Sequence, residues 1–210
     1  MLLCMEAFFM IVPLLVSLWY DESDTLAFLT TIGITIVAGA MMIMTTRNHS
    51  KHLAKREGFL IVATTWIFFS IFGMLPFIIH GCIPNVADAF FETISGFTTT
   101  GATVLTDIDS LPHGILFWRC FTQWLGGMGI ILFTLAILPM LNSGGGIQLF
   151  NAETTGITHN KLRPRIGQTA KRLWGMYVAI TTVLVICLVL GPMDLFDAIC
   201  HAMSTTATGG

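Results

Sequence analysis

Six consecutive residues, Thr98-Thr99-Thr100-Gly101-Ala102-Thr103, bring together four hydroxyls, one glycine and nothing ionisable. A cation that sheds its water needs a row of oxygen ligands, and backbone carbonyls supply them where the chain can turn them inward. Glycine permits the backbone angles that a β-carbon would forbid, and threonine adds hydroxyls with little bulk. A carboxylate in this run would hold a monovalent ion too tightly for passage. The chemistry indicated is selective ion coordination, not the making or breaking of bonds.

What must position these residues is the stretch before them. Asp88 to Thr103 is too short and too polar to span a bilayer, yet it lies between two segments that can. An apolar helix of ~10 residues is ~15 Å long, about half a hydrocarbon core. Running into a Thr/Gly string, it reads as a re-entrant pore loop, entered from about Pro84. Its C-terminal carbonyls would carry roughly half a negative charge toward the membrane midplane, where a cation loses water.

The rest of the 210 residues suit a membrane: 54% are hydrophobic and only 10% charged, which sets the chain apart from an ordinary soluble domain. Spans are expected at Leu2 to Tyr20, which contains Pro13 as a membrane helix can tolerate; Thr25 to Thr46; Gly58 to Ile79, with Pro76 near its end; Ile115 to Leu141, broken at Gly126-Gly127-Met128-Gly129; and Leu173 to Leu190. The N-terminus has no basic region or small-residue cleavage site, so the first span is expected to stay as an anchor. Glu6 is expected near the head groups. Cys4, Cys82, Cys120, Cys187 and Cys200 are scattered, with no metal-type spacing, and read as small apolar residues.

Charge sets the orientation. Every Lys and Arg except Arg119 falls in 47–57 or 161–172, which places the N-terminus and both loops in the cytoplasm by the positive-inside bias. The pore loops then enter from outside. Asp88, Glu92, Asp107, Asp109, Asp194 and Asp197 would give the outer mouth a negative potential. Arg119 is expected to snorkel or to pair with Asp107 or Glu92, a structural charge. Close helix packing is the expected use of the Gly126 to Gly129 cluster.

A shift of 109 residues lays Asp88-Ala89 on Asp197-Ala198, Ser95 on Ser204, Thr99 on Thr208 and Gly101 on Gly210. The matches recur in the same context of span, external Asp-Ala, short helix and Thr/Gly run, as repeats in transport proteins do. A second filter loop is therefore expected at Ala207 to Gly210. Two other readings compete: an intramembrane enzyme using Asp197 and His201, which share a helix face at i, i+4, and an assembly subunit with no pore of its own. Neither a nucleophile nor a metal-ligand set accompanies the Asp/His pair, so no enzyme is expected.

Asp88 to Thr103, the phrase Phe117-Trp118-Arg119-Cys-Phe-Thr-Gln-Trp124-Leu-Gly126-Gly127-Met-Gly129-Ile, the Ile137-Leu-Pro139 helix end and His201-Ala-Met-Ser-Thr-Thr-Ala-Thr-Gly-Gly210 together resemble the TrkH branch of the Trk/Ktr/HKT potassium transporters. The resemblance implies an all-α polytopic membrane protein of the inner membrane. It would be built from repeats of helix, pore helix, filter loop and helix, as in potassium channels, with about one and a half of four repeats present. It implies an N-terminal hairpin and basic cytoplasmic loop at 1–57, a first pore repeat at 58–141, a cytoplasmic linker at 142–171, and a second repeat from 172 that stops at its filter loop. The chain would then be an N-terminal part of a longer protein.

By the same resemblance Thr99, Thr100 and Gly101 line the first quarter of a filter and Thr208, Gly209 and Gly210 the second, with Thr98, Ala102, Thr103 and Ala207 in support. Gly101 implies a preference for potassium, the transported ligand and the one metal expected, with no covalently bound cofactor. Implied partners are a second copy of the full-length protein, a cytosolic TrkA-type nucleotide-binding ring and membrane lipids, with no nucleic acid.

Overall fold

The computed structural model describes residues 2–46, 55–108, 110–142 and 162–209. Every regular element among them is an α-helix. Among the described residues four stretches are long and apolar enough to cross a bilayer: Leu2–Tyr20, Thr25–Thr45, Leu60–His80 and Gln168–Val189.

The first span is two helices, α1 (Leu2–Phe9) and α2 (Ile11–Tyr20), where one was expected. Pro13 has no N–H to donate to the Phe9 carbonyl, and the ladder resumes with Leu14 N–H on Met10 O at 3.3 Å. Glu6 is turned into the protein. It is 1% exposed, faces the interior beside Gly73, and neither carboxylate oxygen has a hydrogen-bond partner among the described residues.

An acidic turn at Asp21 to Asp24 leads to α3 (Thr25–Thr46), which packs along α1. The turn also fastens the start of α7 (His113–Asn142), whose first amides have no partner within the helix. Glu22 accepts from the His113 N–H at 2.5 Å, and Asp24 from the Ile115 N–H at 3.0 Å. Ser17 donates to the other oxygen of Asp24, so α2, α3 and α7 meet at one buried carboxylate.

The span expected at 58–79 is likewise divided, into α4 (Lys55–Gly73) and α5 (Leu75–His80), at Met74 just before Pro76. The break frees the Gly73 carbonyl, and the Trp118 indole N–H takes it at 2.9 Å. By contrast α7 runs unbroken through Gly126 to Gly129, where an interruption was expected. Its 30 residues make it ~45 Å long. The two half-helices are α6 (Val86–Phe97) and α9 (Leu195–Thr206). Between α7 and α9 lies α8 (Leu162–Val189), which begins well before the expected Leu173 and so carries the basic residues from Arg163 onward in its first turns.

The core gathers where α6 ends against α4 and α7. Phe97 is 1% exposed and ringed by Trp66, Phe69 and Trp118 at centroid distances of 6.2, 5.7 and 6.3 Å. Between membrane helices such contacts act by close van der Waals fit, because lipid tails are as apolar as the side chains. This aromatic cluster sits directly behind the first Thr/Gly loop.

Candidate functional site

The two half-helices are built alike, residue for residue, at the shift found in the sequence. Asn85 caps α6 by accepting from Ala87 N at 3.0 Å, and Asp194 caps α9 by accepting from Phe196 N at 3.3 Å. At the other ends, Thr98 N donates to Ile94 O at 2.9 Å and Ala207 N to Met203 O at 3.2 Å. Thr99 N then bonds Gly96 O, and Thr208 N bonds Thr205 O; Thr100 N reaches Ser95 O at 2.9 Å, and Gly209 N reaches Ser204 O at 2.9 Å. These bonds curl each chain end tightly over its helix terminus.

The curl forces left-handed backbone on Thr99 and Thr208, at φ 56 and 63. A β-branched residue there is strained by ~1–3 kcal/mol, and the same strain recurs at equivalent places. Gly101 follows at φ 75, where glycine has no penalty. It also meets the second loop directly. A β-carbon on Gly101 would overlap the Gly209 carbonyl oxygen and come 2.7 Å from its carbon. Two chain ends more than a hundred residues apart therefore touch backbone to backbone, beside the negative ends of two half-helices.

The polar groups of the first loop are largely engaged within the protein. Thr98 Oγ1 donates to Ile94 O at 2.7 Å and lies 2.9 Å from Thr100 Oγ1. Ser95 donates to the Ala102 carbonyl at 2.6 Å, which turns that oxygen back toward α6. The Thr103 hydroxyl donates to Glu92 at 2.9 Å, and Val104 N–H donates to the same carboxylate at 3.0 Å. Thr98, Thr100, Ala102, Thr103 and Thr208 are exposed, Thr99, Gly101 and Gly209 half-buried, and Ala207 buried. Gly210 lies outside the described residues.

Glu92 does not belong to an acidic mouth. It is 3% exposed and accepts from Arg119 Nε at 2.6 Å, so one carboxylate joins α6, α7 and the chain leaving the loop. Arg119, alone among the basic residues in lying between the two cationic loops, was the signal that a buried acid had to exist. Asp107, Asp194 and Asp197 are exposed and Asp88 half-buried, while Asp109 lies outside the described residues. Asp197 and His201 are exposed together on α9, and no group of three or more His, Cys, Asp or Glu suited to a metal occurs among the described residues. All five cysteines are free, and burial pushes the Cys82 thiol up to about 11.

Two adjoining faces of α7 support the two loops. A β-carbon on Gly96 would overlap the Thr122 hydroxyl, and one on Gly126 would overlap the Phe97 carbonyl. At Gly127 it would meet the Tyr177 hydroxyl at 2.6 Å and Ala207 Cα at 3.3 Å, and at Gly129 the Trp66 ring at 3.0 Å. The glycine cluster is thus a packing surface, as expected. Sequence reading missed Thr122 and Gln123, because a polar residue on an apolar helix gives no sign of which neighbour it faces.

Residues 25–210 match the family model described as TrkH, cation transport protein. The chain is 48% identical over 204 residues to the Trk system potassium uptake protein TrkH of Escherichia coli (strain K12), covering 96% of this chain and 42% of that protein. It is 38% identical over 203 residues to the Trk system potassium uptake protein TrkG of the same organism, covering 96% and 42%. The crystal structure of the potassium transporter TrkH from Vibrio parahaemolyticus superposes with a TM-score of 0.80 at 42% identity, covering 97% of this chain and 40% of that one. The chain thus spans about two fifths of the length of these relatives.

Proposed function

The chain belongs to the TrkH family of cation transport proteins, and from that premise we propose that it forms part of a potassium uptake pathway, with its two Thr/Gly loops as two sections of the selectivity filter. Contact between Gly101 and the Gly209 carbonyl carries this reading, since it brings two strained, oxygen-rich loops together at the ends of two half-helices. Thr99, Thr100, Gly101, Thr208, Gly209 and Gly210 are the ion-binding residues in this proposal. Thr98, Ala102, Thr103 and Ala207 shape the loops, and Arg119 holds Glu92.

The strain at Thr99 and Thr208 supports the same role. Loops that only connect helices relax into ordinary turns, whereas a filter must keep its carbonyls in a fixed orientation against the ion's pull. The proposal includes the N-terminus and the loops at 47–57 and 142–171 in the cytoplasm, the pore loops entering from outside, and an inner-membrane location. Pore repeats at 58–141 and from 172 follow from it, as do a homodimeric complete protein and a cytosolic TrkA-type nucleotide-binding partner.

Rubidium and sodium uptake by a transport-competent protein containing this chain test the reading. Gly101 and Gly81 both have positive φ, but a β-carbon at Gly81 meets nothing within 4 Å. Gly81→Ala is expected to cost ~1–2 kcal/mol of stability with unchanged selectivity. Gly101→Ala or Gly101→Ser is expected to shift the rubidium-to-sodium ratio, because the second loop must move away. If both Gly101 variants keep the parental ratio, the loops are not the filter and a non-conducting assembly role takes its place.

A further inference from the structure

Gly209 is held from two directions. Its carbonyl oxygen fills the space that a β-carbon on Gly101 would need, and a β-carbon on Gly209 itself would come 2.8 Å from Gln123 Oε1, 2.9 Å from Cδ and 3.4 Å from Nε2. The side-chain amide of Gln123 therefore leans on the α-carbon of Gly209. The Gly209 N–H is already committed to Ser204 O at 2.9 Å, so the chain has little freedom except along the line between these two walls.

Gln123 is 2% exposed, and its Oε1 has no hydrogen-bond partner among the described residues. Leaving a buried acceptor unpaired costs ~1–3 kcal/mol, so an apolar side chain would fill this space at lower cost if filling were the whole task. The base of the side chain is fixed as well. On the adjoining face of α7, Thr122 sits against Gly96 and bonds Arg119 O at 2.7 Å, and Gly126 sits against Phe97. The amide is thus a stiff, planar group, supported from a helix that also buttresses the first loop.

We propose that Gln123 is a positioning residue for ion selectivity, its amide setting how closely the Gly209 carbonyl approaches Gly101. The inference rests on the reading of the two loops as filter. Filters discriminate cations through the number, spacing and field of their carbonyls, so a small outward shift of Gly209 changes the choice of ion before it disturbs assembly.

The test is the ratio of rubidium to sodium uptake in a transport-competent protein containing this chain. Gln123→Asn keeps the amide but withdraws it by one methylene. The ratio is expected to fall about fivefold or more, with the amount of protein in the membrane and maximal rubidium uptake within about twofold of the parent. An unchanged ratio in the Asn variant overturns the proposal. So does a proportional loss of uptake for both ions, which is what a merely structural role would give. Should the Asn variant fail to reach the membrane, Gln123→Met, equally long but without the planar amide, is read in its place: a fallen ratio supports the proposal and an unchanged one overturns it. Gly101→Ala separates the two levels of argument. A ratio that responds at Gly101 and not at Gln123 removes this inference alone, and one that responds at neither removes the filter reading with it.

Discussion

Arg119 Nε and Glu92 Oε1 lie 2.6 Å apart, and the Glu92 side chain is 2% exposed while that of Arg119 is 13% exposed. The pair is out of water, and the rest of the carboxylate is spent on the Thr103 hydroxyl and the Val104 N–H. Both oxygens of the carboxylate therefore have a donor, the condition under which a buried ion pair holds a structure together.

Removing one member strands the other. Arg119→Leu leaves an unpaired buried carboxylate and is expected to lower stability by ~3–5 kcal/mol. Glu92→Gln with Arg119→Leu is expected to cost less than the sum of the single changes. Thermal unfolding of the detergent-solubilised protein measures both, and strict additivity would show that the two groups do not act as a pair.

The strained threonines make a matched prediction. Thr99→Gly and Thr208→Gly each relieve left-handed backbone, so each is expected to raise thermal stability, by up to ~1–3 kcal/mol less the lost side-chain contacts. Both are also expected to weaken discrimination between rubidium and sodium, to a similar degree, because the loops gain freedom. Opposite effects at the two sites would mean that the likeness of the loops ends at the backbone.

A third prediction concerns the N-terminal hairpin. Asp24 is fully buried and accepts from Ser17 and from the Ile115 N–H, so Asp24→Ala leaves an amide at the start of α7 without its partner. A loss of ~1–3 kcal/mol is expected, with Asp24→Asn intermediate because it keeps the acceptor and drops the charge. Limited proteolysis at the 21–24 turn reads the effect, and a turn as resistant in Asp24→Ala as in the parent would place the hairpin's anchorage elsewhere.

Much of this architecture was legible in the residues. The apolar stretches gave the order of the long helices, and the 109-residue shift gave the second half-helix, down to the pairing of Thr99 with Thr208. That shift worked because the loops are held by backbone bonds, so that few side chains need to match. Helix continuity was less legible. Pro13 and Pro76 deprive the Phe9 and Phe72 carbonyls of their helical donors, and whether a helix divides depends on how the backbone groups around the break are satisfied, as the Trp118 indole does for Gly73. Glycines at 126 to 129 looked like an interruption, yet a helix tolerates them where other backbones press close. Glu92 was counted with the outer acids because composition assigns a charge to a segment and cannot tell which face of a helix it occupies. Gln123 gave no signal at all, since its role depends on a loop that arrives from the far end of the chain.

Neighbouring glycines at 126 and 127 face different loops, one against Phe97 and the other against Ala207. The long helix is in this sense a party wall between two rooms. A substitution that displaces it from one loop also shifts its seat against the other, so the two loops cannot be retuned independently from this side. Variants along this turn should accordingly give paired changes, one in each room.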